Sequence, residues 1–120
     1  MPFFEYEDVG ITGIAAAVPS KVVEVEEFKG RFGDEAVDRF TEMTGIREFR
    51  ESGAHQTASD LGYVAAKALL EGKQIDRSRI GALVFSAHSL DYRRPATACV
   101  LHKRLGLEKD CAAFDVALGC

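Results

Sequence analysis

Cys120 closes an apolar, strand-like run, Ala112-Ala113-Phe114-Asp115-Val116-Ala117-Leu118-Gly119. A strand that ends in Gly-Cys delivers a thiol to the carboxyl edge of a sheet, where α/β folds bind their ligands. A thiol there becomes a strong nucleophile when a helix N-terminus or a histidine lowers its pKa. A single cysteine is also often an inert small hydrophobe, and position alone leaves both uses open. Cys99 and Cys111 read as core packing. His88 follows another apolar run and would sit at the same kind of edge, yet no orienting partner is identifiable, so a solvated loop histidine is the simpler use. Asp115 stands inside an apolar strand, where a carboxylate costs free energy unless hydrogen-bonded. Bonding to nearby backbone, or a cavity, explains it more readily than a role as catalytic base. Arg93 and Arg94 could hold a phosphate or carboxylate, or simply be solvated.

Three cysteines without a Cys-x-x-Cys pair, and His55, His88 and His102 away from ligand spacing, argue against a disulfide framework or a metal site.

These residues need elements to position them. Val9 to Val18 is an apolar run stopped by Pro19, and it reads as a strand buried on both faces, with Gly10 and Gly13 allowing close packing. Val22 to Phe32 starts extended and passes into a short helix around Glu26-Lys29. Asp34 is a suitable N-cap for a helix over 35–43, with Val37, Phe40 and Met43 on one face and Gly45 as its stop. Ile46 to Ser52 is an edge strand or an ordered loop. Thr57 and Asp60 have capping-box spacing, and Leu61, Val64, Ala65, Ala68 and Leu69 form the apolar stripe of the helix that follows, up to Gly72. Ile80 to Ala87 is a second apolar strand and His88 to Arg94 a polar loop. Pro95 opens a helix to about Leu105, closed by Gly106, before the strand Ala112–Leu118. Apolar strands alternating with amphipathic helices predict an α/β fold, a mostly parallel sheet covered by helices.

With 120 residues the chain is long enough for one core, and 47% hydrophobic with 28% charged residues is ordinary soluble composition. The net charge of −4 is spread along the chain without a basic stripe, which argues against nucleic acid. No apolar run approaches the roughly 18 residues of a membrane span. The acidic N-terminus is unlike a signal peptide, so a cytoplasmic location is expected.

Taken in order, several short motifs resemble the N-terminal part of β-ketoacyl-ACP synthase III, in the thiolase superfamily. They are Gly13 with the Pro19 stop, Thr44-Gly45-Ile46 followed by Arg47 and Arg50, and Ser59-Asp60-Leu61. Pro95-Ala96-Thr97-Ala98 with Leu105-Gly106 follow, then Phe114-Asp115-Val116 leading to Cys120. The resemblance implies an incomplete N-terminal thiolase-like domain over 1–120 that ends at the nucleophile. Cys120 would take an acyl group from a coenzyme A thioester, which is a substrate and not a permanently bound cofactor. Decarboxylative condensation with malonyl on acyl carrier protein, in fatty acid or related biosynthesis, would follow. The cysteine amide would join the oxyanion hole. A histidine and an asparagine from the second half would complete the triad, and the full-length parent would be a homodimer.

The sequence also departs from that pattern. Met43 stands where an arginine is usual and Arg39 where a tryptophan is usual, both in the coenzyme A region to which Arg47 also belongs. Arg94 replaces a phenylalanine that lines the partner subunit's acyl pocket, and a guanidinium there costs about several kcal/mol unless paired or solvated. A polar acyl donor, or one carried on protein, is therefore compatible. Two alternatives fit the same residues: another thiolase-fold acyltransferase, such as a hydroxymethylglutaryl-coenzyme A synthase or a secondary-metabolite type, or a non-catalytic truncated subunit. If the chain ends at Cys120, the expectation is an inactive fragment. It would have no helix dipole after the thiol, and a terminal carboxylate would favour the neutral form.

Overall fold

A computed structural model describes residues 5–117 of the chain. Residues 118–120, and with them Cys120, lie outside the described residues.

The first unit begins with strand β1 (Lys21–Glu24), a 3-10 turn (Val25–Phe28) and the short helix α1 (Lys29–Phe32). This matches the extended start and short helix expected over 22–32. Lys29 joins Glu26 and Asp38 at 2.6 and 2.8 Å, tying the turn to helix α2 (Asp34–Thr44). Both carboxylates raise the Lys29 pKa. Asp34, expected as the cap of α2, is its first helical residue instead; Gly33 takes the cap position and the carboxylate faces the positive end of the helix dipole. Gly45 ends α2 in the left-handed region at φ 72°, where a side chain would be strained. The expected apolar face is only partly covered. Val37 is buried, whereas Phe40 is 44% and Met43 76% exposed, because among the described residues α2 packs mainly against the 3-10 turn and α1. Strand β2 (Glu48–Glu51) pairs antiparallel with β1, which settles the open choice over 46–52 in favour of a strand. Lys21 lies opposite Glu51 and pairs with it at 2.6 Å.

The second unit holds the larger core. Helix α3 (Ala58–Gly72) starts with the expected capping box, in which Thr57 and Asp60 satisfy each other's amides. Its buried residues are Ser59 and Leu70, with Tyr63 and Ala66 packed against the core. The stripe expected from periodicity lies to one side of this face, and Val64 is exposed. The helix runs through Gly72 and closes at Gln74, which is left-handed at φ 51°, with Ile75 N–H bonded back to the Leu70 carbonyl at 2.8 Å. Strand β3 (Ala82–Ser86) and strand β4 (Ala112–Val116) form the parallel pair, in register Ala82↔Ala112 to Ser86↔Val116. Between them lies helix α4 (Thr97–Leu105), which begins two residues after Pro95 and ends at Gly106, φ 64°. Leu107 N–H bonds to the His102 carbonyl and Arg77 Nε to the Leu105 carbonyl, so the last turn of α4 is satisfied. Leu70, Leu105, Leu107 and Cys111 make the core, with Leu83 and Ile80 packed against it. Cys111 is buried as expected; Cys99, expected in the core, is exposed on α4.

Two expectations change. Of the described strands, β3 and β4 pair in parallel but β1 and β2 pair antiparallel, as two separate two-stranded sheets. The β3–β4 pair is covered on one face only: Leu83 and Phe85 turn inward, while Val84 and Phe114 are about half exposed. Residues 9–18 form no strand among the described residues. The segment has no regular secondary structure, with Gly13, Ala15 and Ala17 partly covered and Ile11, Ile14 and Val18 exposed. Gly13 lies so close to α3 that a Cβ would come within 2.8 Å of Leu69 Cδ1, whereas Gly10 has open space. The apolar pattern is that of a strand, but a strand needs a neighbour for its amides and carbonyls. The chain is correspondingly open, with a radius of gyration of 18.7 Å. An isolated domain of this length has about 14 Å.

Candidate active site

The parallel pair brings two chain segments to one edge. After β3 the chain forms the loop over 87–96, which carries His88, Asp91, Arg93 and Arg94; after β4 it continues toward Cys120. Asp115, next to the end of β4, binds the first amides of α4: its two carboxylate oxygens accept from Thr97 N–H and Ala98 N–H, each at 2.7 Å. A carboxylate placed there satisfies two otherwise open helix donors and complements the dipole. The expected backbone role of Asp115 is therefore what the structure has, although its partners belong to α4 and not to its own strand. Thr97 is fully buried beneath this contact and its hydroxyl has no partner among the described residues.

A second group of polar residues holds the other end of the same loop. Asp91 accepts hydrogen bonds from the Ser59 hydroxyl and, at 2.9 Å, from the Thr57 hydroxyl. Asp60 accepts from the Thr57 amide at 3.1 Å and pairs with Arg104 at 2.9 Å. These contacts, the Thr57 amide first and then the guanidinium, hold the Asp60 carboxyl below its ordinary value. Arg104 also lies 4.4 Å from the Tyr63 ring centroid. The loop and the start of α3 bound a cavity of about 490 Å³ lined by Ser52, Gln56, Thr57, Leu61, Ser89 and Asp91. Sequence reasoning found the Thr57–Asp60 box but missed Ser59 and Asp91. Partners separated by 32 residues leave no local signal.

The residues singled out from the sequence do not converge on one point. His88, Arg93 and Arg94 are exposed on the β3–α4 loop. Arg39 lies on α2, beside a cavity of about 640 Å³ that Phe32, Phe40 and Met43 also line. Arg47 precedes β2; its carbonyl accepts from Val25 N–H at 2.9 Å and its side chain is exposed. Among the described residues, none of Arg39, Arg47 and Arg94 has an ion-pair partner. No group of three metal-ligating side chains occurs among the described residues, and no helix of the described chain is long and apolar enough to cross a membrane.

The chain matches about a third of the length of known enzymes. It is 34% identical over 113 residues to β-ketoacyl-[acyl-carrier-protein] synthase III of Staphylococcus saprophyticus, covering 94% of this chain and 36% of that protein. Identity to the enzyme of the same name from Methylococcus capsulatus is also 34%, over 92% of this chain and 34% of that protein. Among solved structures, a 3-oxoacyl-(acyl-carrier protein) synthase from Burkholderia xenovorans superposes with a TM-score of 0.82 at 39% identity, over 89% of this chain and 32% of the other. OleA of Xanthomonas campestris superposes with a TM-score of 0.74 at 28% identity, over 87% and 32%. No protein-family model matches the chain.

Proposed function

Because the chain is homologous to about a third of β-ketoacyl-ACP synthase III, a condensing enzyme of the thiolase fold, we propose that it forms the nucleophile-bearing part of such an enzyme. The observation that carries this is the agreement of sequence and fold over nearly all of the chain, including the parallel β3–β4 pair whose carboxyl edge leads to Cys120.

In this proposal the span 1–120 is an N-terminal thiolase-like portion. The Cys120 thiolate attacks the carbonyl carbon of an acyl thioester, and the carbonyl π electrons move onto oxygen. Collapse of the tetrahedral adduct expels the donor thiolate and leaves the acyl group on Cys120. Malonyl carried on acyl carrier protein then loses carbon dioxide. The resulting enolate carbon attacks the acyl carbonyl, forming the new carbon–carbon bond and releasing the cysteine thiolate. The donor is acyl-coenzyme A, and no permanently bound cofactor takes part. The histidine and asparagine that stabilise the enolate come from elsewhere in a homodimeric, cytoplasmic enzyme of the relatives' full length.

Arg39 and Arg47 are assigned to the coenzyme A region and Arg94 to the acyl pocket. Arg39 stands beside Phe32 and Phe40, so a phosphate and an aromatic base could meet a cation and an apolar ring there. Arg94 is exposed in the single chain, and in a partner's acyl pocket its guanidinium would need an anionic group or solvent beside it, which a polar or carboxylated acyl donor supplies.

The test is covalent loading. A protein carrying this chain is incubated with acyl-coenzyme A and the mass of the Cys120 peptide is measured. The expected result is a one-acyl increase on that peptide, lost in Cys120→Ala; loading that survives the substitution would overturn the assignment.

A further inference from the structure

We propose that Asp91 is a positioning residue, clamping the β3–α4 loop to the start of α3 through Ser59 and Thr57 and so fixing Arg94 at the edge where the acyl donor enters. The role of the edge rests on the proposed condensing function; the clamp itself does not.

The hydrogen-bond inventory supports the clamp. Ser59 is 1% exposed, so its hydroxyl must find a protein acceptor, and Asp91 Oδ2 is that acceptor. The Thr57 hydroxyl has a single proton. Asp91 Oδ2 at 2.9 Å, Asp60 Oδ2 at 3.2 Å and Ser59 Oγ at 3.3 Å compete for it, and the shortest contact goes to Asp91. One loop carboxylate oxygen therefore gathers both hydroxyls of the helix start. The capping of α3 does not require this, because Thr57 already accepts from Asp60 N–H and Asp60 from Thr57 N–H. What Asp91 adds is attachment of the loop.

The other end of the loop is held by the grip of Asp115 on Thr97 and Ala98. Arg94 stands midway between these anchors, three residues after Asp91 and three before Thr97. Its own guanidinium has no ion-pair partner among the described residues, so its place is set through the backbone. Releasing Asp91 frees one anchor and leaves the other.

The experiment compares Asp91→Ala, Asp91→Asn and Ser59→Ala with the unaltered protein. Asparagine keeps an oxygen that can accept both hydroxyl protons, whereas alanine keeps none. Trypsin can cut after Arg93 but not between Arg94 and Pro95, so cleavage at Arg93 reports loop opening. Cleavage at Arg93 is expected to rise about ten-fold in Asp91→Ala, less in Ser59→Ala, and little in Asp91→Asn, with Arg50 on β2 unaffected. No rise at Arg93, or an equal rise at Arg50, overturns the clamp. The second readout is donor use. In Asp91→Ala the KM for acyl-coenzyme A is expected to rise several-fold with kcat nearly kept, and Asp91→Asn restores it. A loosened loop with unchanged KM overturns the positioning role. If the unaltered protein loads no acyl group at all, the proposed condensing function fails, and cleavage at Arg93 still decides the clamp.

Discussion

Asp115 on β4 holds Thr97 at the start of α4: its carboxylate accepts the Thr97 amide at 2.7 Å and the next amide, that of Ala98, at the same distance. This one side chain joins the strand that leads to Cys120 with the helix that closes the Arg94 loop. Hydrogen bonds to a charged acceptor contribute about 1.5–3 kcal/mol each, and they are not additive. Asp115→Ala is therefore expected to destabilise the protein by about 3 kcal/mol. Asp115→Asn should cost less, since it keeps one acceptor oxygen. Urea denaturation of both variants measures this, and a loss below about 0.5 kcal/mol would show that the contact is dispensable.

Asp60 is one of the carboxyls whose contacts couple stability to acid, Asp76, bonded to Ser78, being another. The folded-state pKa of Asp60 lies below the ordinary 3.8 because the Thr57 amide and Arg104 favour the charged carboxylate. A depressed carboxyl contributes its stability in full above the unfolded value and loses it as pH falls through the folded one. Arg104 on α4 and Asp91 in the loop are the charged groups nearest in this network. Asp60→Asn should therefore flatten the fall in stability below about pH 3.8 while changing its slope little near neutrality. Thermal unfolding between pH 2.5 and 7 checks it; parallel curves for the two proteins would count against the contact.

Gln74 bears the left-handed turn after α3 that a glycine usually occupies, at φ 51°. Relieving that backbone strain outweighs the extra freedom glycine gains in the unfolded chain, so Gln74→Gly should stabilise by about 0.5–1 kcal/mol. A lower melting temperature in the variant would show that the side chain contributes more than the strain costs.

Arg94 tests the donor side of the proposed reaction. It is exposed, so Arg94→Phe should leave stability within about 0.5 kcal/mol. The expected change is in selectivity, with greater use of short apolar acyl donors relative to carboxylated ones. Competition between two donors of different polarity, read as the ratio of acyl masses on Cys120, measures it directly. An unchanged ratio would remove Arg94 from the pocket.

Features built from neighbouring residues were legible in the chain itself. The Thr57–Asp60 box, the left-handed Gly45 and Gly106, the strands over 82–86 and 112–116, and the buried Cys111 follow from contacts or patterns within a few residues. The likeness to β-ketoacyl-ACP synthase III was legible too, because short motifs kept their order, and the relatives and solved structures bear it out. Cys120, Arg39, Arg47 and Arg94 are proposed as site residues from their places in that likeness, Arg39 and Arg94 at positions where the residue type departs from it.

Tertiary structure alone decided which surfaces and which distant groups meet. Periodicity marks a helical stripe but not how far the helix rolls on its neighbours, and α3 buries Ser59 and Leu70 and leaves Val64 in solvent. An apolar run at 9–18 has strand character, but pairing depends on a neighbour that no local pattern specifies. The partners of Asp115 lie 17 and 18 residues back in the chain, and Ser59 meets Asp91 across 32. Hydrogen bonds act over about 3 Å, so which carboxylate holds which helix is set only when the parallel pair and its two helices have closed together.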